Sequence, residues 1–371
     1  MASARATTIA QGFSNKMMLE VYDKSLIDTI VNRDYEGEIN DIGSQLNILN
    51  IERVTEKTYA GVAMTADSLY ENNAKLIIDK YKSFYWQEKT LDNWLSYIKD
   101  PKPAVVTQTA QERNKNMDEH VLGFYGDVGA GNRVGTDYTT GTVTVDVTTG
   151  VVTGSGTTFT AAMVGRGFKA TGHTKWYRVK TYSSATSIVI EDDLDDITSA
   201  YTGGAIGAGA EYTIEAATPL AITTSNLLDF VADLKLKLDL AEENGFSSVP
   251  DEGRFLIVPP QFENILPKAS GIALHVPEAY QDLVKKGMIT MLQGFMVFKS
   301  NRLTGNNTDG YRVIAGHPNW ITFAEKVLQV RMEEDLPGDF GTAYKDLFVY
   351  GAKVADKRRH MAAEGYVTFS V

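Results

Sequence analysis

The residues of this 371-residue chain that could do chemistry are few and scattered. Glu191 to Asp196 (EDDLDD) concentrates the hard oxygen ligands that calcium takes, but it lacks the mid-loop glycine and closing glutamate of a helix–loop–helix calcium site. A solvated acidic turn is the expectation there. Gly126 to Gly135 (GDVGAGNRVG) has the glycine density of a phosphate cradle, yet it misses the G-x-G-x-x-G spacing and follows no short buried strand, so it reads as a linker. The five histidines stand apart in sequence. His120 has no second histidine or carboxylate at ligand spacing and is expected at the surface or the edge of the core. There is no cysteine, which removes thiolate nucleophiles, disulfides and thiolate metal sites, and no G-x-S-x-G elbow is present. No catalytic, cofactor or metal residue is assigned. Trp176 and Tyr177 are the aromatic pair that an oligosaccharide-binding face would use, with packing as their plainer role.

Composition narrows the class. Hydrophobic residues at 43% and charged residues at 22% are ordinary for a globular protein, and the length suits two or three domains. A formal charge of −11 argues against a chain that grips nucleic acid, because neutralising phosphates requires concentrated Lys and Arg. No apolar run is long enough to span a bilayer, the amino end MASARATTIAQGFSNK lacks a signal-peptide core, and no solenoid repeat is present. Absence of cysteine fits a reducing cytoplasm.

The elements follow from periodicity. Met1 to Asn15 has none and reads as an arm that a partner must order, whereas Lys16 to Val31 carries an apolar stripe at helical spacing, with Tyr22 beside it. Gly37 and Gly43 mark turns before an alternating strand at Leu46 to Asn50. Lys75 to Trp86 (KLIIDKYKSFYW) is a single β-prone run, giving with the earlier strand a projecting hairpin that needs a surface to lie on. Leu91 to Phe124 is helical in pattern, interrupted by Pro101 and Pro103. Thr136 to Ala217 is a Thr, Gly, Val and Ser block with period-two runs at Trp176 to Tyr182 and Ser187 to Asp192, the mark of a small all-β domain. Beyond it, Thr224 or Ser225 is expected to cap a helix carrying Leu227, Leu228, Val231, Leu234 and Leu238. Arg254 to Val258 is a buried strand, and Pro259-Pro260 ends it and starts a helix. A short helix is expected over Pro277 to Gly287, with strands at Phe295 to Ser300, Tyr311 to Ala315, Leu328 to Glu334 and Lys345 to Lys357.

The segment from Ser247 to Leu266, with Pro250, Gly253-Arg254, Pro259-Pro260 and Leu266, resembles the axial-domain signature of tailed-phage major capsid proteins with the Hong Kong 97-type fold. Asn32 to Asn50, the run from Leu76 to Trp86, GYRVIAGHPNW and DLFVYGAKV resemble the same family in the same order. The resemblance implies an α+β fold: an N-terminal arm (1–42), an extended β-hairpin loop (43–90), the spine helix of a peripheral domain with a linker (91–135), an all-β insertion domain (136–218), an axial domain (219–325) and return strands of the peripheral domain (326–371). It further implies hexamers and pentamers of an icosahedral head around double-stranded DNA, in a virion assembled in the host cytoplasm. The partners implied are other copies of the chain, a separate scaffolding protein, a portal and a decoration protein, with no membrane, no cofactor and no enzymatic activity. Residues it points to for contacts between subunits are Tyr22, Tyr35, Tyr59, Leu69, Tyr70, Pro337 and Phe340. Some relatives lock their shells with an isopeptide bond, which here would fall to Lys57, Lys75, Lys80 or Lys82. Two other readings compete: an encapsulin-like nanocompartment shell, and a carbohydrate-binding protein built on the β-block.

Overall fold

A computed structural model describes residues 25–35, 45–51, 71–90, 102–192, 200–241, 249–269, 291–333 and 340–370, with positions 56 and 58. The described chain is mixed α+β, dominated by sheets, with two larger eight-stranded sheets, a three-stranded sheet and a two-stranded hairpin.

The centre of the main body is a sheet in the order Leu220–Ile222, Ala362–Phe369, Gly310–Gly316, Phe255–Val258, Phe295–Lys299, Met291–Leu292. Phe255–Val258 is buried at every position, as expected for a continuous apolar run in the middle of a sheet. Its two faces feed different cores. Leu256 and Val258 meet the helix Leu227–Asp239 through Phe230, Val231, Leu234 and Leu238, while Phe255 and Ile257 join Trp320, Phe323 and Phe348 on the other side. Gly253 precedes the strand at φ +77, a conformation that disfavours any side chain. Arg254 is 3% exposed and ties the turn together. It donates to the carbonyls of Val249 and Pro250 and pairs with Asp239 at the end of the helix. The expected cap at Thr224 or Ser225 is not used: Asn226 is the N-cap residue and its carboxamide oxygen accepts the Thr223 N–H, so the polar residues there build the turn instead of bonding the helix. Pro260–Ile265 is helical, followed by a single 3-10 turn at Leu266–Lys268.

Eight strands between Thr136 and Thr218 form a second sheet, in the order Ile206–Ala210, Thr142–Val145, Val151–Ser155, Ser187–Asp192, Tyr177–Ser184, Gly167–Ala170, Tyr212–Thr218, Thr136–Tyr138. It has its own apolar core, including Val152, Phe168, Val179, Ile188, Ile190 and Ile214. Tyr177 is inside that core at 3% exposure, in the packing role that was its plainer reading, and Trp176 is half-buried, so the two do not form one exposed aromatic face. Strand alternation points Tyr177 inward. Asp192 is also no solvated turn residue: it is 5% exposed and accepts from Lys175 and Thr202. Residues 193–196 of the acidic run lie outside the described residues.

Gly126 to Gly135 is not a free linker. Arg133–Val134 is a short strand pairing in parallel with Glu364 and Gly365, and Val128 to Val134 is buried, because the backbone of Ala362–Phe369 needs partners along this edge.

The third sheet runs Ile321–Glu333, Gly341–Val354, Lys80–Lys89. These strands are longer than their apolar runs suggest: the outer ladder has partners from Ile321 to Glu333, before the expected start at Leu328, and Gly341 already opens the strand expected from Lys345. The expected single run from Lys75 to Trp86 is divided. Glu71–Ile77 pairs with Gln45–Ile51 as the hairpin, and after Ile78-Asp79 the chain enters the long sheet. Leu76 and Ile78 supply the reason, both buried against Ala324 and Val349, which bends the chain between sheets. Beneath lies the helix Lys102–Leu122. Pro103 sits inside its first turn, where a missing N–H costs nothing, so it does not interrupt the helix as expected. Of the expected Lys16 to Val31 helix, the described part is one turn, Ile27–Ile30, after which Val31 is extended and Asn32 bridges to Thr322. The expected helix at Pro277 to Gly287 lies outside the described residues.

Candidate interaction surface

The long sheet is covered on one side along part of its length and bare at its far end. Phe84 stacks on Phe348 at 6.1 Å and Phe348 on Tyr350 at 6.0 Å, and Arg113 of the long helix lies 4.6 Å from the Phe348 ring. Asp346 accepts the Phe84 N–H and stands 3.6 Å from Arg113, tying sheet to helix. Beyond this, Tyr85, Val330 (74% exposed), Met332 and Phe340 (87% exposed) present large apolar side chains to solvent. Phe340 is fixed at its backbone, where its carbonyl accepts the Thr90 N–H. A shallow cavity of about 260 Å³ beside Tyr85, Gln329, Lys345 and Leu347 completes the end. By the ladder register Val330 and Met332 share a face with Asp346 and Phe84, while Tyr85 and the cavity lie on the opposite face, so large apolar groups are exposed on both faces of this end, as suits contact with other chains.

Of the contact residues expected from sequence, Phe340 lies at this bare end. Tyr35 is half-buried beside Leu76, Ile78, Ala324 and Val349 at the hairpin's root. Tyr22, Tyr59, Leu69, Tyr70 and Pro337 lie outside the described residues. Lys75 and Lys82 are exposed, Lys80 pairs with Asp79, and Lys57 lies outside the described residues.

Sequence reasoning missed the most charged site of the body, a buried ionic junction between the two larger sheets. Glu364, fully buried, accepts from Arg133 Nε at 2.8 Å, Arg166 Nη1 at 3.0 Å and Arg312 Nη1 at 2.9 Å. Glu215, also buried, accepts from Arg133 Nη1 and from the backbone of Gly131 and Gly167. Arg312 caps the group with its guanidinium 3.4 Å from the Tyr366 ring centroid. Burial alone would raise the Glu364 carboxyl, and the Arg166, Arg133 and Arg312 charges outweigh it, holding it below the usual carboxylate value. Glu215 has one guanidinium partner, and burial prevails there, pushing it up despite Arg133. The signal in sequence is a glutamate among small and apolar neighbours within a strand, in YTIEAAT and AAEGYVTF.

A second buried carboxylate holds the start of the described chain. Asp118 on the long helix accepts from the Ser25 hydroxyl at 2.9 Å, from the Leu26 N–H and from Arg302. Burial raises the Asp118 carboxyl against the opposing effect of those donors. His120, two residues on, stands edge-on to Phe124 and Tyr350 at the core's edge, where burial first, and then Lys80, depress its basicity. Among the described residues no three His, Asp or Glu side chains are grouped to hold a metal ion, and no helix is long and apolar enough to cross a membrane.

A phage capsid protein family model matches residues 187–363. No curated protein matches the chain. Solved structures share the fold from end to end. A structure from Mycobacterium phage Che8 aligns with a TM-score of 0.60 at 18% identity, over 99% of this chain and 98% of its own. The capsid of cyanophage Pam1 aligns at 0.56 and 11% identity over 99% of both, and that of cyanophage P-SCSP1u at 0.53 and 14% over 98% and 94%. A phage capsid family match over residues 187–363 and a fold held in common with phage capsid structures over the whole chain make this chain similar to phage capsid proteins, with the Hong Kong 97-type fold.

Proposed function

We propose that copies of this chain close into hexamers and pentamers of an icosahedral head that holds double-stranded DNA without reading its sequence. The apolar end of the long sheet supports this reading, since Val330 and Phe340 are mostly exposed large apolar side chains of the kind that a neighbouring copy buries. Many such contacts, each modest, add through effective concentration once a ring begins to close, while single contacts still release misplaced subunits. The net charge of −11 suits a container that encloses DNA and does not grip it. A separate scaffolding protein, a portal and a decoration protein are the further partners, assembly occurs in the host cytoplasm, and the work is non-enzymatic. The chain divides for this purpose into an arm (1–42), extended hairpin (43–90), spine helix and connection (91–135), β-insertion (136–218), axial domain (219–325) and return strands (326–371).

The test compares wild type with Val330→Lys and Phe340→Ala in sedimentation and negative-stain microscopy, with and without a co-expressed scaffold. Both side chains are exposed, so subunit melting should stay within about 0.5 kcal/mol of wild type while the yield of closed shells falls. Shells formed at wild-type yield by both variants would refute the role of this surface.

A further inference from the structure

The β-sheet domain carries a concave site that the shell-forming reading does not use. Strand alternation builds it. Ala170 and Tyr212, paired across neighbouring strands, point into the core at 3% and 4% exposure, so Lys169 and Thr213, the adjacent cross-strand pair, stand on the outer face. Thr171 and Glu211 follow at the strand ends, joined by the Thr171 N–H to Glu211 carbonyl bond of 2.8 Å. With Thr139 and Trp176 these side chains line a cavity of about 640 Å³.

The indole of Trp176 is held from behind. Gly131 of the main body packs on it so closely that a Cβ there would come within 2.6 Å of the ring. Gly131 is itself fixed, since its N–H bonds Glu215 and its carbonyl accepts from Lys237. The aromatic is therefore positioned before any ligand arrives, which removes an ordering cost from binding.

The lining identifies the ligand class. One ammonium and one carboxylate leave the site without net charge, which gives a phosphate or other polyanion no advantage. Thr139, Thr142, Thr171 and Thr213 put hydroxyls into walls that also hold small residues, His173 and Tyr212, so a wholly hydrophobic guest would strand polar groups. What suits a rigid aromatic face ringed by threonine hydroxyls is a molecule with an apolar face and a rim of donors and acceptors. The geometry points to a binding site for a neutral oligosaccharide on the outer face of this sheet, with Trp176 as the platform and Thr171, Thr213, Lys169 and Glu211 as hydrogen-bonding partners.

The full-length chain grown with 5-fluorotryptophan provides the test by fluorine NMR. There are four tryptophans, and Trp176→Phe assigns the relevant line. Maltoheptaose, cellohexaose, laminarihexaose and chitohexaose are titrated in turn, with a heparin hexasaccharide as the anionic control. At least one neutral saccharide should shift the Trp176 line saturably at millimolar concentration, and Thr171→Val with Thr213→Val should weaken that binding by about fivefold or more. No shift at Trp176 with any neutral probe up to about 10 mM, a shift with heparin alone, or a neutral-sugar shift untouched by the double substitution would each overturn the assignment.

Discussion

Glutamine in place of Glu364 would keep the side chain's volume and remove one of two negative charges facing three guanidiniums. Glu364 is completely buried and within 3.0 Å of Arg133, Arg166 and Arg312, so water cannot compensate the loss. Breaking a buried pair by neutralising one partner costs about 3–5 kcal/mol. With a denaturation slope of about 3 kcal/mol/M, a loss of about 4 kcal/mol lowers the urea midpoint by roughly 1 M. The assay is urea unfolding of unassembled subunits by circular dichroism, paired with limited proteolysis across the junction at Gly135 and Pro219. Adding Arg166→Met to Glu364→Gln restores the native excess of one positive charge, and the double variant should recover about half of the loss or more. Acid titration gives an independent reading. Because the Glu364 carboxyl is held below its ordinary value of about 4.3, its contribution is present above that value and is lost as pH falls through the folded-state value. The glutamine variant should lack this part of the acid loss. A single variant within about 1 kcal/mol of wild type, or a double variant showing the full sum of both losses, would refute the junction as a charge-compensated clamp.

Asp118→Asn should cost about 3 kcal/mol, since Arg302, the Ser25 hydroxyl and the Leu26 N–H lose a buried anion, and should speed proteolytic cleavage near Ser25. Gly253→Ala places a side chain at φ +77 and should lower stability by about 1 kcal/mol in urea unfolding. His173 accepts the Ala170 N–H through Nδ1 and meets Tyr201 through Nε2, and burial, then Lys169, hold its basicity below the ordinary value of about 6.5. With a depressed folded-state value the unfolded chain protonates first, so thermal stability of the β-sheet domain should decline as pH drops below about 6.5, and His173→Asn should flatten that decline.

The sequence disclosed what is local. Phe255–Val258 and the proline-started helix after it were readable because four apolar residues and two prolines decide their own conformation. The β-sheet domain was readable because each short strand alternates on its own. What depended on distant partners was hidden. Arg133 looked like part of a glycine-rich linker because its partners, Glu215 and Glu364, lie 82 and 231 positions away. The break at Ile78 was equally invisible within KLIIDKYKSFYW, since only Ala324 and Val349, met in space, pull that side chain out of line. Phe340 stood out in sequence because a large apolar side chain beside Pro and Gly has little local reason to be there, and the side chain is exposed.

The last long strand, Ala362–Phe369, holds Arg133–Val134 and Leu220–Ile222 in parallel along one edge, and these are the two points at which the chain leaves the main body for the β-sheet domain and comes back. Thr136 and Thr218 are themselves paired at that threshold. On a ribosome the domain's own strands are complete well before this strand emerges, so it can fold early and wait as a tethered module. Its seat is closed only once Ala362–Phe369 has followed, and a product truncated before that strand therefore carries a finished domain on an unfinished socket.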